Sequence, residues 1–182
     1  MVPPTISGPG RVIWITGLSG AGKSTLAHET VSLLRATGNT VVLLDGDELR
    51  KVFSTVAENQ QDYSRQGRLA LAMQYAQLCR VLAEQGLTVV IATISLFREI
   101  HIWNRANLPS YFEVFLKVPI EELRNRDSKG IYKRFDAGEL KNVAGLDLPI
   151  DEPHSADLVV SFVQDQSVAL LAKELLMNLK MV

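Results

Sequence analysis

The 182-residue chain predicts an α/β fold, three α/β/α layers around a five-stranded parallel sheet, and two observations carry that expectation. Short β-branched runs alternate with segments of helical periodicity, the pattern of a parallel sheet covered on both faces. Between the first such run and the first helical segment lies Gly17-Leu18-Ser19-Gly20-Ala21-Gly22-Lys23-Ser24, a glycine-rich strand-to-helix turn.

The expected elements follow in order. Residues 12–16 form the first strand and 23–36 the first helix, with Gly38 placed to end it. Residues 40–44 form the second strand. Residues 64–85 make a long helix whose Leu71, Tyr75, Leu78 and Leu82 recur at helical spacing, a core stripe rather than a ligand surface. Gly86 ends that helix before a strand at 88–93. A helix at 98–107, a strand at 112–117, a helix at 120–126, a strand at 157–161 and a helix at 167–180 complete the series. Residues 127–153 break the pattern: they are glycine-studded, charged and without clear periodicity, which in a compact domain marks a functional lid. Residues 1–10 are expected to be a flexible tail, and 11–182 one domain.

Composition narrows the function. With 19 basic and 20 acidic residues the net charge is −1, so no field steers the chain toward nucleic acid or an anionic membrane, and anion binding must be local. Cys79 is the single cysteine, which excludes an internal disulfide; its apolar helical setting suits a buried inert thiol and a cytoplasmic protein. The amino-terminal residues lack a signal peptide's charged start and apolar core, and the longest apolar stretch, near 89–97, is too short to span a bilayer. His28, His101 and His154 lack metal-ligand spacing.

The glycine-rich turn fits G-x-x-x-x-G-K-[ST], a phosphate-binding loop. Its backbone N–H groups turn inward around phosphates, which Gly17 and Gly22 permit. Lys23 neutralises the β- and γ-phosphates, Ser24 can ligate Mg²⁺, and the helix beginning near Thr25 presents its positive end to the anion. Asp45-Gly46-Asp47 follows the second strand, at the carboxyl end of the sheet where open α/β folds bind ligands. Phosphoryl transfer to an alcohol needs a carboxylate at the hydroxyl, a role for Asp47; Asp45 can act through Mg²⁺ or its water shell, and Arg50 lies one helical turn beyond. An Asx turn capping a helix is the other account of this tripeptide. Arg126 and Lys129 flank Asp127-Ser128, where a closing lid would bring cations to transferred charge; a solvated charged turn is the alternative.

These segments carry a family resemblance. The loop, the Leu44-Asp45-Gly46-Asp47-Glu48-Leu49-Arg50 block, Ile94-Ser95-Leu96-Phe97-Arg98, Arg126-Asp127-Ser128-Lys129-Gly130-Ile131-Tyr132 and Gly138-Glu139-Leu140-Lys141-Asn142 resemble the adenylyl-sulfate (APS) kinase family in order and spacing, over nearly the whole chain. The resemblance implies a P-loop kinase fold with a lid, ATP and Mg²⁺ as cofactors, phosphorylation of the ribose 3′-hydroxyl of adenosine 5′-phosphosulfate, and a homodimer. It makes Asp47 the base, gives Arg50 and Arg68 the acceptor's 5′ anionic group, and puts Lys129 in the lid. Ile94, Lys141 and Asn142 fall in its acceptor segments. Ser95 matches a position sometimes described as phosphoserine, although direct transfer needs no covalent relay and a pocket-wall role suits it better.

The departures concern the acceptor. Tyr63 keeps one aromatic platform, but Leu71 stands where the family has asparagine. Val143 replaces the phenylalanine that stacks on the adenine, and Asp136 and Lys117 replace a lid arginine and a strand-end aspartate. Losing a base–aromatic contact costs roughly 1–3 kcal/mol. The acceptor therefore is expected to be a nucleotide with a charged 5′ group whose base is adenine or, as in relatives acting on cytidine diphosphoramidate in capsule modification, cytosine. A P-loop regulatory NTPase and another small-metabolite kinase are the further alternatives.

Overall fold

The computed structural model describes residues 9–54 and 62–180. Five parallel strands, β1 (Arg11–Gly17), β2 (Val41–Asp45), β3 (Thr88–Thr93), β4 (Phe112–Lys117) and β5 (Leu158–Ser161), form one sheet in the order β2-β3-β1-β4-β5. Among the described residues seven helices connect and cover it: α1 (Lys23–Ala36), α2 (Gly46–Ser54), α3 (Arg65–Glu84), α4 (Arg98–Asn107), α5 (Ile120–Arg126), α6 (Ile131–Asp136) and α7 (Val168–Asn178). The three-layer α/β/α fold expected from the alternation is the fold observed.

Both faces of the sheet are buried, which is why β1 and β3 read as near-continuous apolar runs. Ile13 and Ile15 point into a core formed with α1 and α7, whereas Val12 and Trp14 point into a second core with α3 and α4. Cys79 lies wholly inside the second core, where burial pushes its thiol pKa up and removes it from nucleophilic chemistry. Gly38 and Gly86 end α1 and α3 in the left-handed conformation, with amides donating to Arg35 and Ala83 carbonyls. Among the described residues no helix is long and apolar enough to cross a membrane.

The structure corrects several expectations. Strands β2 and β5 begin one residue later than expected, and β2 ends at Asp45 itself. The nine residues after it form helix α2. The segment 127–153 is not irregular throughout: it contains α6, and Ala144 bridges Leu148 to close a turn whose Asn142 and Val143 amides donate to the Asp147 carboxylate at 2.8 and 2.6 Å. Most of the expected tail lies outside the described residues; Gly10, at its end, donates to the Ala83 carbonyl at 2.7 Å.

Candidate active site

Strands β1, β2 and β3 all deliver their carboxyl ends to one side of the sheet, and a cavity of about 500 Å³ opens there. On one wall is the loop Gly17–Gly22. Gly17 is required because a Cβ there would sit 2.7 Å from the Leu116 carbonyl oxygen, and Gly22 starts α1 in the left-handed conformation with no side-chain cap. The amides of the first turn of α1 are thus left for an anion. Lys23 Nζ donates to the Leu18 carbonyl at 2.7 Å. Burial first, then the like charge of Lys129, pushes the Lys23 pKa down to about 8, against the opposing pull of Asp47 and Asp45.

Ser24 Oγ donates to Asp45 Oδ2 at 2.6 Å, and Asp45 Oδ1 accepts the Asp47 amide at 2.8 Å, so Asp45 both orients the serine and caps α2. This pair of hard oxygen donors fits Mg²⁺, which takes one or two protein oxygens and completes its shell with phosphate and water. The described residues hold no cluster of three or more His, Cys, Asp or Glu that could hold a metal ion.

Asp47 stands across from the loop on the first turn of α2, exposed and ion-paired with Lys129. Partial burial raises its pKa, but the hydrogen bond and charge of Lys129, together with Lys23 and Arg50, outweigh that and hold it below the usual carboxylate range. Arg50, from the same helix, and Arg68, from the first turn of α3, lie over the Tyr63 ring with guanidinium carbons 4.9 and 5.2 Å from its centroid. Two cations and one aromatic face thereby share one corner, suited to a base and an anionic group. Arg68 also donates to the Tyr63 and Asn142 carbonyls at 3.0 and 2.9 Å.

The third wall is the loop after β3. Thr16 Oγ1 donates to the Ile94 carbonyl, and Ser95, buried at a positive φ of 30°, exchanges a 2.8 Å hydrogen bond with Thr93. Ser95 is thus a wall residue whose hydroxyl is already engaged. The fourth wall comes from 126–131 and 144–150. Tyr132 donates to the Ser19 carbonyl at 2.9 Å, and Gly145 packs so closely on Leu18 that a Cβ would meet its side chain at 2.9 Å. Asp127 accepts the Tyr132 and Lys133 amides at 3.1 and 3.0 Å, which sets the direction of α6.

Ser19, Gly20, Gly22, Lys23, Ser24, Thr25, Asp45, Asp47, Arg50, Tyr63, Arg68, Ile94, Ser95, Arg126 and Lys129 meet around this one cavity. Gly17 and Leu18 support the loop from behind, and Ala21 faces a neighbouring cavity. Lys141, Asn142 and Val143 are not on the wall. Lys141 is exposed, and Val143 is 7% exposed with its amide donating to Asp147; Ala144, Leu148 and Ile150 line the cavity instead. Leu71, named both in the core stripe and among the acceptor departures, lines the cavity, as does Tyr75, expected in the core; Tyr75 donates to the Gly46 carbonyl at 3.0 Å.

Sequence reasoning missed the neighbouring cavity of about 390 Å³, lined by Ala21, Thr25, Arg126, Phe162, Val163 and Asp165 among others. Arg126, whose guanidinium carbon lies 4.9 Å from the Phe162 ring centroid, separates the two spaces. The signal was Phe162 directly after the last strand, at the ligand-binding edge of the sheet.

A phosphate loop with its lysine, an Mg²⁺-suited Ser–Asp pair and a carboxylate facing them across a cavity define a P-loop kinase. The profile of the family described as adenylylsulphate kinase matches residues 9–161, and the chain belongs to that family. Among curated relatives, a cytidine diphosphoramidate kinase from Campylobacter jejuni is 39% identical over 150 residues, covering 82% of this chain and 85% of the relative. An adenylyl-sulfate kinase from Deinococcus deserti is 39% identical over 151 residues, covering 83% and 81%. Among solved structures, the Mycobacterium tuberculosis APS kinase in complex with AMPPNP and APS superimposes with a TM-score of 0.86 at 30% identity, covering 96% of this chain and 99% of that one.

Proposed function

We propose that the chain transfers the γ-phosphoryl group of ATP to the ribose 3′-hydroxyl of a nucleotide carrying an anionic 5′ group, with a cytosine nucleotide of the cytidine 5′-diphosphoramidate class as acceptor. The observation that carries the reaction is the single cavity with Lys23 and Ser24 on one wall and Asp47, Arg50 and Arg68 on another. Lys23 holds the β- and γ-phosphates, and Arg126 borders both that space and the Phe162 cavity, which suits the base of ATP. Asp47 accepts the proton of the attacking hydroxyl, while Arg50 and Arg68 hold the acceptor's anionic end away from it. Mg²⁺, held on Ser24 and Asp45, would draw negative charge from the phosphates. Residues 127–153 act as the lid, and Lys129 exchanges Asp47 for phosphate oxygens as transfer proceeds.

The cytosine preference rests on the aliphatic wall. Leu71, Ala144, Leu148 and Ile150 border the acceptor corner, Val143 offers no ring, and Tyr63 supplies a stacking face. A small polar base needs less stacking area than a purine, and the Campylobacter relative's name agrees. Adenosine 5′-phosphosulfate is the second reading, favoured by the family profile and by the ligands of the Mycobacterium structure. A homodimer belongs to this reading and is checked by sedimentation.

The deciding experiment measures acceptor-dependent ADP release with adenine and cytosine nucleotides bearing varied 5′ groups. Turnover with cytidine 5′-diphosphate derivatives above that with adenosine 5′-phosphosulfate is expected; the reverse order overturns the cytosine assignment. ADP formed equally without any acceptor indicates a regulatory NTPase instead.

A further inference from the structure

Behind the acceptor wall lies a buried polar chain that the reaction described above does not use. His101, in the middle of α4 with its side chain 11% exposed, has both ring nitrogens occupied. Nδ1 lies 2.7 Å from Glu113 Oε1, and Nε2 lies 3.0 Å from the Asp151 carbonyl oxygen. A carbonyl can only accept. Glu113 Oε1 already accepts the Tyr111 hydroxyl at 3.0 Å, and the Tyr111 hydroxyl oxygen in turn accepts from Asn104 at 3.3 Å. Burial pushes the Tyr111 pKa far up, so its phenol stays protonated and is a donor. A neutral imidazole, with one N–H, satisfies only one of its two acceptors; an imidazolium satisfies both.

The Asp151 carbonyl belongs to a residue held at every polar group. Its amide donates to the Leu96 carbonyl at 3.0 Å, and its carboxylate accepts the Arg98 amide at 3.2 Å and lies 3.6 Å from Arg65. Leu96 and Phe97 line the main cavity from one side of this junction, and Leu148 and Ile150 from the other. The junction also lies at the carboxyl-terminal end of the 127–153 segment.

We propose that His101 is a positioning residue for the acceptor half of the site, an imidazolium that clamps the Asp151 carbonyl and so fixes the Leu148–Ile150 wall against the Leu96–Phe97 loop. The proposal rests on the acceptor reading given above only for its kinetic consequence. The charged groups around the ring are consistent with it. Glu113 on β4, 3% exposed, faces Nδ1, with Arg105 of α4 3.8 Å from its other oxygen. Arg105 is itself engaged by Asp157 at 2.8 Å, and Asp157 accepts the Glu113 amide at 2.7 Å. Asp151, Arg65 of α3 and Glu99 of α4 complete the surroundings. Burial works against the imidazolium, but the Glu113 hydrogen bond and charge, with Asp151, outweigh it and raise the His101 pKa. Placed in the lid's terminal joint, the clamp confines lid movement to residues before Asp151.

Two substitutions separate the contacts. His101→Asn keeps a donor at the Nδ1 position, toward Glu113, and His101→Gln keeps one at the Nε2 position, toward Asp151. His101→Asn is expected to speed hydrogen exchange at the Asp151 amide and, with whichever acceptor the wild type uses, to raise acceptor KM by about tenfold while leaving ATP KM unchanged. His101→Gln is expected to preserve both. In the unmodified protein, NMR titration should show the His101 ring losing its proton above the usual histidine value near 6.5. A ring titrating at or below that value overturns the proposal. So do equal effects of the two variants, or a change in ATP KM matching the change in acceptor KM. If no nucleotide acceptor is turned over, the functional reading fails while the exchange and titration measurements still decide this one.

Discussion

The proposed donor and acceptor halves of the cavity are built in opposite ways. The donor half is one contiguous loop, Gly17–Thr25, carried by a central strand whose Val12–Ile15 are fully buried and by the helix that follows immediately. The acceptor half is gathered from Asp47 on α2, Tyr63 before α3, Arg68 and Leu71 on α3, the 94–97 loop and the 144–150 turn. Recognition of phosphate, common to every P-loop enzyme, needs only backbone amides and one lysine, so a single rigid motif suffices. Discrimination among acceptors needs several walls, each replaceable without disturbing the loop. Substrate preference can therefore drift within the family while the phosphate chemistry stays fixed.

The strongest way to break this division is to separate the halves by mutation. Asp47→Asn is expected to lower kcat on the order of 10²–10⁴-fold, the span of general-base losses, with ATP affinity nearly unchanged. Because Lys129 and its neighbours hold the Asp47 pKa down, the acid limb of its activity should lie below the usual aspartate range. Equal turnover by wild type and Asp47→Asn would remove Asp47 from the base role. Lys23→Ala is expected to cost roughly 10²–10³-fold in kcat/KM for ATP, with acceptor affinity measured by calorimetry preserved. A matching loss of acceptor affinity would mean that the halves are not separable.

The same division governs what could be read from the sequence. β1, the loop and α1 were legible because the motif is local and its flanking apolar and helical periods are strong. The edge strand β5 was legible in outline, since Leu158 and Val160 are more buried than Val159 and Ser161. Helix α2 was legible only as a turn from Asp47 to Arg50, because it starts at a glycine directly after β2 with no loop between them, and α6 has only six residues. Val143 sits in a turn where Asp147 caps two amides, a loop geometry that apolar patterning does not encode. The partners of His101 lie 12 and 50 residues away, so only packing reveals them.

A smaller effect tests the donor half alone. With its pKa near 8, Lys23 is partly neutral in slightly alkaline solution, and phosphates placed on it must raise that value. The complex then holds more protons than the free enzyme above pH 8 or so. ATP affinity should be full below that pH and fall as pH rises through it, by about tenfold per unit until the bound value is reached. Calorimetry at pH 8.5 in buffers of different ionisation heat should show net proton uptake for ATP and none for the acceptor. Lys23→Arg, always charged, should abolish the uptake; uptake that persists in that variant would assign the proton elsewhere.

Tyr132→Phe is expected to have the smallest effect and probes the seam between the halves. The Tyr132 ring is buried in the core shared with α1, and its hydroxyl reaches the Ser19 carbonyl inside the phosphate loop. Burial first, then the charge of Asp127, pushes the phenol pKa up to about 12, so the group donates throughout the working range. Phenylalanine keeps the ring and removes only the donor, which costs about 1 kcal/mol. In a chain of this size that should lower Tm by about 2–4 °C. If the bond also holds the loop in its phosphate-receiving shape, KM for ATP should rise by about fivefold, the equivalent of that energy, and acceptor KM should stay put. A variant that loses Tm but keeps its ATP KM would show that the loop holds its shape without the lid and that Tyr132 anchors α6 alone.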